Sequence, residues 1–106
     1  MTNKEKADQH PELPQDFRLE QNQPNPFGQK TIIRFLVPRI SSVRLLVLNR
    51  DHEQVRLLYE GEAQPGWHDL PWDGMNEEGL PVPAGSYQYR LETKRYVATR
   101  KLEIKR

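Results

Sequence analysis

Histidine is the first residue type to test for chemistry, because imidazole is the usual base and metal ligand near neutral pH. The 106-residue chain has three, His10, His52 and His68. They share no short motif, and there is no cysteine, so no zinc-ligand spacing exists. His68 sits in "WHDLPW", where a packed, hydrogen-bonded imidazole is expected. Ser86, His68 and Asp69 are the residue types of a hydrolase trio. However, "AGSYQ" is not the G-x-S-x-G turn that exposes a nucleophile. Asp73, Asn76, Glu77 and Glu78 crowd "DGMNEEG". Calcium wants about six to eight oxygens in one cage, and the D-x-[DN]-x-[DN]-G spacing is missing. Asp73 is instead expected to cap its own turn through its carboxylate. Phosphate-loop and dinucleotide fingerprints are absent. The chain therefore reads as non-enzymatic, with no cofactor and no metal.

Charge carries a second kind of chemistry. The formal net charge is +1, with 29% charged and 35% hydrophobic residues, so nothing in bulk drives the chain toward nucleic acid. The distribution is uneven. Residues 17–50 hold Arg18, Lys30, Arg34, Arg39, Arg44 and Arg50 against Glu20 alone. Residues 51–79 reverse this, with Arg56 as the only cation. Residues 90–106 are basic again, and Arg100, Lys101, Lys105 and Arg106 cluster at the end. The cations either solvate strand faces or form a basic last strand that a protein partner reads. Aromatic residues fall mostly at inward positions, which argues against a stacking platform for sugars or bases. Trp67 is the exception, opposite in phase to Trp72, and an exposed tryptophan on an edge strand marks an interaction spot.

The elements that position these residues are strands. "TIIRFLVP" puts Ile33, Phe35 and Val37 on one face, and "VRLLVLN" does the same with Val43, Leu45 and Val47. "FRLEQ" alternates Phe17 and Leu19 with charge, and "QVRLLYEG" is a shorter run. "WHDLPW" aligns His68, Leu70 and Trp72, and Pro71 there predicts an edge strand. "SYQYRLE" places Tyr87, Tyr89 and Leu91 inward, and "VATRKLEI" closes with Leu102 and Ile104. Turns are expected at Pro38–Ser42, Asn49–His52, Gly61–Gly66, Asp73–Gly85 and Thr93–Arg95. Gly74, Gly79 and Gly85 suit positive φ, and Trp72 should anchor the core. About seven short strands without a helical stripe predict an all-β antiparallel sandwich over 17–106. Residues 1–16, poor in apolar side chains, read as a disordered or extended leader. No window is apolar enough to span a membrane as a helix, and the N-terminus has no signal-peptide core.

The stretch "QNQPNPFGQKTIIRFLVP" resembles the opening of the C-terminal sorting domains of the type IX secretion system. The immunoglobulin-like domain of the flagellar hook-capping protein belongs to the same broad group. Asn22, Pro24, Asn25, Pro26 and Phe27 carry the resemblance first. "VRLLVLNRDHEQVRLLYEG" and "GWHDLPWDGMNEEGLPVPAGSYQYRL" continue it in family order through Trp72, Asp73, Gly74, Gly79, Gly85 and Tyr87. "TRKLEIKR" resembles the terminal strand. The family's Y-D dipeptide is Leu48–Asn49 here, and its turn glycine is His52. The resemblance implies an immunoglobulin-like fold and a non-catalytic sorting or recognition module. Its basic last strand would be read by a secretion apparatus, by strand addition at a sheet edge. The alternative is a free-standing structural or protein-binding module that self-associates through an edge strand. The chain would be secreted or at the cell surface as a fragment of an exported protein, and cytoplasmic if Met1 is the native start.

Overall fold

A computed structural model describes residues 16–106. The expected leader lies almost wholly outside that range, as does His10. Seven strands form: β1 (Arg18–Leu19), β2 (Thr31–Val37), β3 (Ser41–Leu48), β4 (Gln54–Ala63), β5 (Gly66–Trp72), β6 (Gly85–Glu92) and β7 (Val97–Ile104). They make two antiparallel sheets, ordered β1-β2-β5 and β4-β3-β6-β7. The expected all-β sandwich is therefore the architecture, and no helix occurs among the described residues.

The inward phase of each strand follows the alternation. Ile33, Phe35 and Val37 face Val43, Leu45, Val47, Tyr89 and Leu91 across the core. Trp72 is 1% exposed and packs edge-on against Phe27 and Tyr87, with ring centroids 5.6 Å and 6.3 Å away. Its indole Nε1–H donates to Met75 O at 3.0 Å, so the one polar atom of the largest core side chain is satisfied.

Two boundaries differ from expectation. β4 runs to Ala63 and is the longest strand, because its ladder continues past the apolar run to pair Ser41 with Ala63. The alternating "FRLEQ" yields only the two-residue β1. Its chain then leaves β2 and crosses to the other sheet, where Phe27 bridges Ile104 in parallel. β5 is an edge strand, as Pro71 requires. The β3–β4 turn survives without its family glycine: His52 takes φ 63°, and Asn49 Oδ1 accepts the Asp51 and Glu53 N–H groups at 2.9 Å.

Candidate functional site

The "NQPNPF" stretch is a clasp rather than a bare loop. Asn22 is buried, and its Nδ2 donates to Thr31 Oγ1 at 3.0 Å and Pro24 O at 3.1 Å. Its backbone N–H donates to the Tyr89 hydroxyl at 2.8 Å, and that hydroxyl donates to Glu20 O at 2.6 Å. Burial pushes the Tyr89 phenol up to about 12, against the opposing pull of the Asn22 N–H and the Arg100 charge. Burial also raises Tyr87, whose hydroxyl donates to Pro83 O at 2.7 Å. Phe27 is 1% exposed and wedged beneath Trp72, as a plug.

This clasp occupies half of the last strand's outer edge. Phe27 N–H donates to Glu103 O at 3.0 Å, and Lys105 N–H donates to Phe27 O at 2.9 Å. Asn25 Oδ1 accepts Glu103 N–H, and Gln21 Nε2 donates to Lys101 O. The edge expected to offer unpaired backbone groups is therefore filled from Lys101 to Lys105. By the same alternation, Val97 and Thr99 present their backbone groups outward, with no partner strand among the described residues.

The four basic residues of the last strand divide into two pairs. Arg100 Nε donates to Leu19 O at 2.6 Å and ties β7 to β1. Arg106 reaches Val82 O at 2.8 Å, Gly74 O at 3.1 Å and Gly28 O at 3.5 Å. Both guanidiniums thus hold the fold together. Lys101 and Lys105 stay exposed, and neither ion-pairs among the described residues. On β5, Trp67 is 43% exposed, with the Arg34 guanidinium 4.6 Å from its ring centroid and Asp69 3.4 Å from Arg34.

The residues weighed for catalysis are not brought together. His68 stacks on Phe35 at 5.1 Å and bonds Gln64 O at 2.7 Å, which is the packed role expected for it. Asp69 pairs with Arg34 across the ladder. Ser86 lies in the other sheet, bonded to the Glu103 carboxylate. In the acidic loop, Asp73 Oδ1 accepts Met75 N–H at 3.0 Å, the expected cap, and also meets Arg56 at 3.3 Å. Glu77 accepts Leu57 N–H, which covers part of the β4 edge. Asn76 Oδ1 accepts the Glu78 and Leu80 N–H groups. Among the described residues no group of three or more His, Asp or Glu is placed to hold a metal ion. A cleft of about 680 Å³ opens beside this loop, between the Asn49–Gln54 turn and Tyr87. Tyr87 and Ser86 line it, and the Ser86 hydroxyl is bonded to Glu103, not to a histidine.

Sequence reasoning did not foresee the Tyr89–Asn22–Thr31 network. The available signal was Thr31 and Tyr89, two hydroxyl residues at positions the alternation marks as inward, whereas Asn22 falls outside any alternating run. Nor did it foresee that Arg106 holds three carbonyls, which no local pattern announces.

Comparison with known proteins adds the following. Residues 26–96, more than half of the chain, match the family model described as the FlgD Ig-like domain. A 49-residue stretch is 37% identical to the basal-body rod modification protein FlgD of Salmonella typhimurium and, equally, of Salmonella typhi. That match covers 46% of this chain and only 21% of those relatives. Among solved structures, 81% of the chain superposes on 11% of PorZ from Porphyromonas gingivalis, with a TM-score of 0.53 and 16% identity. PorZ is described as an essential bacterial surface component of the type-IX secretion system. At that identity the likeness concerns the fold.

Proposed function

The chain belongs to the FlgD Ig-like domain family, and from that premise we propose that it is a protein-recognition module of a bacterial assembly, with its last strand as the recognised element. It is a non-catalytic structural module with an immunoglobulin-like sandwich. Two of its relatives are named for a basal-body rod and for a type-IX secretion system, both built of proteins, so a protein partner is the chemistry they favour. One observation carries the reading. Arg100 and Arg106 are bound internally and fix the position of β7, while Lys101 on it and Lys105 just past it are exposed and form no ion pair among the described residues. A fixed strand with two exposed ammonium groups offers a partner both register and orientation.

The test is a fusion of residues 17–106 behind an exported reporter in a host that has the type-IX apparatus. Surface display of the reporter supports sorting. Retention in the periplasm removes sorting from the reading. Lys101→Glu with Lys105→Glu should abolish display while leaving the melting temperature unchanged.

A second reading has its own observation. β5 is an edge with an exposed Trp67 held flat by Arg34, a surface suited to self-association. Sedimentation velocity checks it: concentration-dependent dimers lost in Trp67→Ala support it, and a strict monomer at high concentration counts against it.

A further inference from the structure

Cations away from the last strand bear on the same recognition. At the end of the sandwich where the β2–β3 and β6–β7 turns meet, a cleft of about 330 Å³ is lined by Phe17, Ile40, Arg39, Lys94, Arg95 and three hydroxyl residues. No carboxylate lines it. Asp16 and Glu62 are nearby in the chain and in the ladder, but neither contributes to the walls. Arg39, Lys94 and Arg95 form no ion pair among the described residues.

The cleft is built on a fixed turn. Thr93 Oγ1 accepts the Tyr96 N–H at 2.8 Å and the Arg95 N–H at 3.2 Å, and Thr93 N–H donates to Tyr96 O at 2.8 Å. Phe17 stacks on Tyr96 with centroids 5.2 Å apart, which holds the apolar floor. Ile40 is 54% exposed at the wall, and Val97, 62% exposed, begins the open half of the β7 edge beside it.

We infer that this cleft takes an extended acidic protein segment whose alternate side chains are apolar. Three unpaired cations select carboxylates. Phe17 and Ile40 would stay uncovered beneath a small anion, so the ligand needs apolar side chains as well. Among the described residues the outward backbone groups of Val97 and Thr99 have no hydrogen-bond partner, which favours an extended ligand over a helix. The inference rests on the protein-recognition reading and names a partner chemistry for it at a site apart from Lys101 and Lys105.

The test uses the full chain and a fluorescent peptide alternating glutamate with leucine. Its controls are a peptide alternating lysine with leucine, polyglutamate and inorganic phosphate. Anisotropy should report binding of the glutamate–leucine peptide alone. Amide shifts should concentrate at residues 39–42 and 93–99. Lys94→Glu with Arg95→Glu should weaken binding roughly tenfold or more, while Lys101→Glu with Lys105→Glu leaves it unchanged. Equal binding of polyglutamate or phosphate would overturn the inference, since it would mark an unspecific anion surface. So would absence of peptide binding, or a loss confined to the Lys101/Lys105 variant. The last outcome would leave recognition through the last strand standing.

Discussion

Asn22 shows how one residue can be a family signature for a purely physical reason. Its side chain and N–H link Pro24, Thr31 and Tyr89 in a place water does not reach. Asn22→Ala keeps the N–H to Tyr89 but removes the side-chain bonds to Thr31 Oγ1 and Pro24 O, and should cost about 1–3 kcal/mol by urea denaturation. Tyr89→Phe removes the other half of the link and should cost a similar amount. Tyr89 also sets an alkaline limit. Its folded value, about 12, lies above the ordinary 10.0. The unfolded phenol therefore ionises first, and stability present below pH 10 is lost as pH rises toward 12. Tyr89→Phe should flatten that limb of the stability–pH curve. Gly74 carries the opposite kind of constraint. It holds φ 76°, and an added Cβ would sit 3.0 Å from Arg106 Nη2. Gly74→Ala should cost about 1–2 kcal/mol from the backbone alone, and thermal melts would show it. At this scale the sequence was informative where a residue answers to its neighbours in the chain, as with Asp73 and the turn glycines. It was silent for Arg106, whose three carbonyl partners lie in two loops far from it in the chain.

Among elements, the edges decide the behaviour. Part of β4 is covered by Glu77, and β7 is covered from Lys101 onward by the clasp. β5 loses one ladder donor at Pro71, and its other outward groups face no strand. Hydrogen exchange should separate the two halves of β7: the Glu103 and Lys105 amides protected, the Val97 and Thr99 amides fast. Equal protection along the strand would contradict the half-open edge. Strand existence was legible because apolar residues recur at every second position in β2 and β3 and alternate with polar ones in β5, β6 and the end of β7. The crossing of Phe27 to β7 was not, since parallel pairing over such a distance leaves no periodic trace. Nor did the pattern foresee β4 running to Ala63. There the ladder and the pairing of Arg44 with Glu60 outweigh the missing apolar residues.

Across the whole molecule, the cations near the end of β7 split into two that hold the fold and two that stay exposed. Arg100 and Arg106 join distant parts, while Lys101 and Lys105 touch solvent. Arg106→Ala should therefore lower the melting temperature, whereas reversing both lysines should move stability by less than about 0.5 kcal/mol. The charge asymmetry was visible in the sequence, but which cations are structural depends on carbonyls brought near only by folding. The bridge between Phe27 and Ile104 has a consequence in time. Beside it, Glu103 N–H bonds Asn25 Oδ1 across 78 positions, so the sandwich cannot shut before β7 has left the ribosome. Until then, whatever handles the nascent chain meets an open sandwich with Phe27 and Trp72 uncovered. Closure is thus a signal that synthesis has passed Lys105, and a chain cut short before β7 would stay recognisable to chaperones and proteases as unfinished.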